Sequence, residues 1–173
     1  MQFGSRVIVL FAFVFVAAGV SGANAQDSSW RLGVSMSRMD YDLSGTGNAP
    51  ALAVRAVRDL SSNVSLEVGG TYAKPSQQFG SSTLFMPEAH VHYNWTAGRV
   101  SPYAGGGIGT ALRTAPFLTD WDPTLSAAGG AAVRLTDSLS LTGEFRLRGH
   151  EWRFAGTTTE LGVGLAWRLP TSF

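Results

Sequence analysis

Apolar and polar residues alternate with a period of two along most of the chain, the pattern of strands whose two faces meet different surroundings. Over residues 30–39, Trp30, Leu32, Val34 and Met36 share one face, and Arg31, Gly33, Ser35 and Ser37 share the other. Residues 51–58 are less regular: Leu52, Val54 and Ala56 oppose Ala53, Arg55 and Val57, which leaves the faces open. The pattern returns at 64–72, with Val64, Leu66, Val68 and Tyr72 against Ser65, Glu67 and Thr71. Residues 88–95 set Ala89, Val91, Tyr93 and Trp95 against Glu88, His90, His92 and Asn94. A Gly-rich strand follows at 102–112, where Tyr103, Gly105, Gly107 and Gly109 alternate with Ala104, Gly106, Ile108 and Thr110, so it can twist sharply and leave room inside a narrow barrel. Segments 124–135, 139–150 and 159–169 alternate as clearly, the second with Leu139, Leu141, Phe145 and Leu147 opposite Ser140, Thr142, Glu144, Arg146, Arg148 and His150.

Eight segments of about ten residues match the length a tilted transmembrane strand needs. The connections at 40–50, 73–83, 113–123 and 151–158 are long, and those at 59–63, 96–101 and 136–138 are short. That alternation predicts an all-β fold, an eight-stranded antiparallel up-and-down transmembrane β-barrel with long outer loops and short periplasmic turns. A closed barrel also satisfies every backbone N–H and C=O in lipid, where an open sheet could not.

The N-terminus reads as an export signal. Arg6 is followed by an apolar run from Val7 to Val20 and by Ala23-Asn24-Ala25, a small-residue cleavage site. Residues 1–25 are therefore expected to be a cleaved secretory signal peptide and 26–173 the barrel domain. The apolar core of that segment is short of the roughly 20 residues a spanning helix requires. Composition then narrows the function classes. The chain contains no Cys, which excludes disulfides, Cys-zinc sites and thiol chemistry. A formal charge of +1 supplies no field for nucleic acid.

Charge also separates the two faces. One carries Glu67, Glu88, Glu144 and Glu160 with Arg31, Arg134, Arg146, Arg148 and Arg168; the other is aliphatic and aromatic. In a membrane barrel the apolar face meets lipid and the polar face fills the lumen, whereas a soluble lipocalin-like binder reverses the two. Trp30, Tyr72, Trp95, Tyr103, Trp152 and Trp167 near strand ends suit interfacial girdles and favour the membrane. An eight-stranded lumen has room for side chains and not for a wide channel, so the nine charges are expected to form a lumenal ionic network.

The C-terminus and two internal stretches carry a resemblance. Leu161, Val163, Leu165, Trp167 and Leu169 alternate toward a terminal Phe173, similar to the C-terminal assembly signal of outer-membrane barrels. Val133 to Arg146, with its Thr136-Asp137-Ser138 turn, and Val100 to Gly109, with its Pro-Tyr-x-Gly start, resemble small opacity-like and OmpA-, OmpX- and OmpW-like barrels. A weaker echo occupies Leu60 to Glu67. The resemblance implies a Gram-negative outer-membrane location, contact with outer-membrane lipid, lipopolysaccharide and the assembly machinery, no cofactor, and a structural, surface-interaction or envelope-integrity role. It also implies a rival, the narrow channel for small or apolar solutes of OmpW-like barrels.

Two constellations bear on chemistry. If the last hairpin centres on Ala155, His150 faces Glu160, an arrangement that resembles lipid A deacylase barrels, which use a His, a Ser two residues later and a Glu on the last strand. Here Trp152 occupies the serine position, so a lipid A-modifying esterase using His150 and Glu160 lacks its nucleophile. Glu88, His90 and His92 share one strand face, a donor set zinc accepts, but alternate strand residues lie nearly 7 Å apart, wide for one ion without a neighbouring strand. Outer-loop aromatics, Tyr41, Phe79, Phe117, Trp121, Trp152 and Phe154, could meet an extracellular partner that the sequence does not name.

Overall fold

The computed structural model describes residues 30–41, 47–77, 80–95, 97–115, 118–151 and 157–169. The expected signal peptide, Phe173 of the assembly signal, and Phe79, Phe117, Trp152 and Phe154 lie outside them.

Eight strands close into an all-antiparallel barrel: β1 (Trp30–Tyr41), β2 (Gly47–Asp59), β3 (Val64–Ala73), β6 (Thr83–Asn94), β7 (Val100–Ala115), β8 (Leu118–Arg134), β9 (Leu139–His150) and β10 (Thr157–Arg168). Every strand pairs with its neighbours in the sequence, and β1 pairs with β10 to close the wall. Two further two-residue strands, β4 (Ser76–Gln77) and β5 (Gly80–Ser81), form a small ladder inside the second long connection.

Short turns hold one end of the barrel. Leu60 and Ser61 donate to the Val64 carbonyl, Leu135 and Thr136 to that of Leu139, and the turn at 97–100 uses Gly98 with a φ of 64°. In an outer-membrane barrel this is the periplasmic end, and the long connections face outward.

The alternation sets the faces as the pattern requires. Met36, Leu161, Val163, Ile108 and Val54 are exposed on the outer wall, although they are large and apolar. Such a belt is the expected dress of a wall that meets lipid. Trp30, Trp95 and Trp167 lie at the short-turn end of that wall, where Tyr93 and Trp95 meet edge to face at 5.0 Å. Tyr72 lies toward the other end. Tyr103 departs from the expected girdle: it belongs to the inward face of β7, with Gly105, Gly107 and Gly109.

Strands run further than the alternation suggested. Residues 113–115 and 118–123, expected as parts of a loop, belong to a β7–β8 ribbon that pairs from Val100↔Val133 to Ala115↔Leu118. Strand β9 stops at His150, opposite Thr124, so the ribbon extends beyond its neighbour on that side. Outside lipid a hairpin needs no apolar face toward a membrane, so this part carries no period-two hydrophobic signal. Between β6 and β7 the ladder skips Met86 and Pro87, where proline has no N–H to donate.

Candidate functional site

The lumen holds the chemistry of this molecule, and its centre is an ion network drawn from five strands. Arg146 of β9 donates from Nη2 to Glu67 Oε1 of β3 at 2.6 Å, from Nη1 to Glu88 Oε2 of β6 at 3.1 Å, and from Nε to Glu144 Oε1 at 3.0 Å. Arg148, with no exposed surface at all, donates from Nε and Nη2 to Glu88 Oε2 at 3.0 and 2.8 Å, and from Nη2 to Thr71 Oγ1 at 3.2 Å. Its Nη1 stands 2.7 Å from Glu160 Oε2 of β10, off the hydrogen-bonding line. Ser37 donates to the other Glu160 oxygen at 2.6 Å.

Arg55 of β2 completes the ring. It donates from Nη1 to Ser35 Oγ at 2.7 Å and lies 3.4 Å from Glu67, 3.3 Å from Glu144 and 3.7 Å from Glu160. Three guanidinium groups thus meet four carboxylates, which makes each buried charge dependent on several partners. Sequence reasoning missed Arg55 because its strand is nearly apolar on both faces. The available signal was parity: Arg55 sits opposite Leu52, Val54 and Ala56, and those three line the outer wall.

Of the nine charges expected in the lumen, Glu67, Glu88, Glu144, Glu160, Arg146 and Arg148 come together here. Arg31 sits near the short-turn mouth and pairs with Asp59 at 2.6 Å. Arg134 and Arg168 are exposed at the same end, beyond the network. They lie on the lumenal parity but at strand ends, where water reaches the mouth.

The Glu88, His90 and His92 row is held by hydrogen bonds. Both cations bonded to Glu88 use its Oε2, and His90 Nε2 lies 2.9 Å from Ser126 Oγ and 3.1 Å from Arg146 Nη1. His92 stacks against Tyr103 at 5.1 Å, and the Tyr103 hydroxyl donates to Glu144 Oε2 at 2.9 Å. No cluster of three metal-ligating side chains occurs among the described residues. The row fits because its cross-strand partners are glycines: Glu88 faces Gly109, His90 faces Gly107 and His92 faces Gly105. A Cβ at Gly107 would collide with the Ala89 carbonyl and the His90 ring.

The expected His150–Glu160 pairing is not formed. Glu160 lies opposite Arg146, and Arg148 opposite Thr158, so each residue of β10 faces a β9 residue four positions earlier than the expected register sets. The physical reason is at the strand ends: β9 terminates at His150, Glu151 turns the chain with a left-handed φ of 53°, and β10 is already paired at Thr157. The displacement is even, so it preserves every facing while changing every partner. His150 Nε2 instead lies 2.8 Å from Thr158 Oγ1.

Above and below the network the lumen differs. Toward the long-loop end, Met39, Ala49, Ala51, Ala73, Leu84, Met86 and Ala111 pack into a buried apolar cluster. Buried Thr124, His150 and Thr158 face the lumen from the opposite wall at the same end. Toward the short-turn end lies a cavity of about 80 Å³, lined among others by Arg31, Ser65, Asn94, Ser101 and Thr142 and floored by Arg55, Glu67 and Glu144. The arrangement can fill and rigidify a barrel: the hydroxyls beside its imidazoles, Ser126 against His90 and Thr158 against His150, are buried among the lumenal side chains.

Comparison with known proteins agrees with this architecture. Residues 8–168 match the family model described as the outer membrane protein beta-barrel domain. The fold is similar to that of Neisserial surface protein A at 14% identity, covering 82% of this chain and 96% of that one, with a TM-score of 0.63. It is also similar to the N-terminal β-barrel domain of Pseudomonas aeruginosa OprF, at 12% identity, 80% and 97% coverage, and a TM-score of 0.58. The attachment invasion locus protein Ail of Yersinia pestis gives 13% identity, 82% and 97% coverage, and a TM-score of 0.55. No curated protein sequence matches the chain.

Proposed function

The chain belongs to the outer membrane protein β-barrel domain family, and from that premise we propose that it is a non-enzymatic envelope protein, structural or surface-interacting, whose lumen does not conduct. It resides in the outer membrane. The observation that carries the proposal is the filling of the lumen: the Arg146 and Arg148 network crosses the barrel, and the Met39, Leu84 and Met86 cluster lies between it and the outer mouth. Arg55, Glu67 and Glu144 of the network also line the inner cavity. A narrow channel would need a water path through side chains that are mutually hydrogen bonded and buried.

The esterase reading has less support. His150 is bonded to Thr158, and Glu160 is engaged by Arg148 and Ser37. General-base catalysis requires an oriented base beside a nucleophile; the hydroxyl beside His150 is that of Thr158, and Glu160 stands opposite Arg146 and not opposite His150.

Planar bilayer recording of the refolded protein tests the proposal. The expected outcome is insertion without discrete conductance steps. Reproducible single-channel steps from the wild-type chain would overturn the closed lumen and favour the narrow channel.

A further inference from the structure

The cavity at the short-turn end carries opposite charge at its two ends. Its floor belongs to the ion network, where four carboxylates meet three guanidinium groups and one negative charge is left over. His90 does not offset that charge: an arginine can only donate, so the His90 Nε2 that lies 3.1 Å from Arg146 Nη1 accepts and carries no proton. The rim carries cations. Arg31 lines the cavity, and Arg134 and Arg168 stand two residues beyond Ala132 and Ala166, which line it too, about 7 Å further along their strands. Asp59 answers Arg31 at 2.6 Å, while Arg134 and Arg168 have no ion pair among the described residues.

One row of the wall joins the two ends. Glu67 stands opposite Val57, Val57 opposite Arg31, and Arg31 opposite Arg168. Because barrel strands tilt, such a row climbs from floor to rim. Glu67, Val57 and Arg31 all line the cavity. Glu67 and Arg31 are two strands apart, about 10 Å at the spacing of a sheet, a span their long side chains shorten from both sides. Polar atoms are left bare at either end. Both arginines on Glu67 meet Oε1, so Oε2 has no cation among the described residues. On the neighbouring strand His92, only 3% exposed, lines the cavity with its Nε2 unpartnered. Arg31 uses Nη2 on Asp59, and its Nε is buried without a partner. Arg31 and Arg168 are like charges directly opposite, a pairing that costs stability until an anion bridges it.

A guest that satisfies both ends carries an ammonium and a carboxylate on one small frame. The ammonium donates to Glu67 Oε2 and His92 Nε2 and cancels the surplus negative charge; the carboxylate accepts from Arg31 and Arg168, whose planar forks suit it. A metal ion would satisfy the floor alone, and no cluster of three metal-ligating side chains occurs among the described residues. A volume of about 80 Å³ has room for about five to eight water-sized groups, which admits the smallest amino acids and rejects aromatic ones. We propose that the cavity binds a small zwitterionic α-amino acid from the periplasmic side, its ammonium toward Glu67 and His92 and its carboxylate toward Arg31 and Arg168. The site goes beyond the structural role and needs no conducting lumen, since the guest enters and leaves by one mouth. Its failure would leave the closed lumen untouched.

Equilibrium dialysis of the refolded barrel in detergent tests this, against isotopically labelled L-alanine and its two halves: ethylamine, which keeps the ammonium, and propionate, which keeps the carboxylate. Folding of each variant is verified beforehand by heat-modifiable migration. The wild type is expected to bind one L-alanine at least about tenfold more tightly than either half, and Arg31→Gln with Arg168→Gln to lose about that factor for L-alanine while leaving ethylamine unchanged. Ala166→Leu, which fills the cavity with every charge in place, should abolish retention. Arg58→Gln, over the Trp30 ring on the outer wall, should bind as the wild type does. Ethylamine or propionate bound as tightly as L-alanine would overturn the proposal. So would equal affinity in the wild type and the double variant, or no retention of L-alanine up to about 10 mM.

Discussion

Toward the long-loop end the lumen is filled by Met39, Leu84 and Met86 against a floor of alanines, while toward the short-turn end the same eight strands leave a cavity. The difference is one of side-chain size. At the inner end Gly33, Gly162, Gly164, Ala132 and Ala166 face inward, and they cannot span the space between opposite walls. A barrel of fixed strand number is therefore made solid or hollow, level by level, by the residues on its inner parity. The charge network marks the boundary: above it side chains are packed, below it water has room.

Breaking the boundary itself should have the largest effect. Arg146→Met leaves Glu67 and Glu144 each with one fewer cation in a buried setting, and should lower unfolding stability by about 3–5 kcal/mol in a urea titration in lipid vesicles. An unchanged midpoint would mean that the network contributes nothing to holding the barrel closed. Next comes the packed half: Met86→Ala, at a side chain with no exposed surface, should cost about 2–4 kcal/mol through cavity formation. The smallest effect belongs to the hollow half, where Ser101→Ala on the cavity wall should change stability by less than about 0.5 kcal/mol. If Met86→Ala and Ser101→Ala proved equal, the two halves would be energetically alike and the contrast would be one of appearance.

Much of this fold was legible because lipid enforces period two. Where lipid acts on one face and the lumen on the other, as along β9, the alternation gave strand limits that match Leu139–His150. Legibility failed where that contrast is absent. The outer end of β6 buries Leu84 and Met86 on the lumenal parity with Phe85 and Pro87 on the other, so both faces are apolar. At the outer end of β1 Met39 points inward between Arg38 and Asp40, so the usual contrast is reversed and the plug has no signature of its own. The same lack of contrast hid Arg55. Tyr103 was misplaced because a tyrosine near a strand end reads as interfacial, whereas the glycines after it open the space that draws it inward toward His92 and Glu144. The His150 partner was lost for a further reason: period two fixes which face a residue occupies, but only the turn fixes what lies opposite. The structure brings the four carboxylates together with Arg146 and Arg148, and leaves Arg31, Arg134 and Arg168 near the short-turn mouth.

The span of the Arg146 contacts along the chain has a consequence for how the barrel comes into being. Glu67 and Glu88 lie 79 and 58 residues before Arg146, on strands that reach it only across the lumen. A partly assembled sheet, open along one edge, would carry these ions with few of their partners in a medium that solvates them poorly. Intermediates of that kind are disfavoured relative to both the unfolded chain in water and the finished cylinder. The interior charges therefore favour a closure in which the curling of the sheet and the neutralisation of the interior occur together.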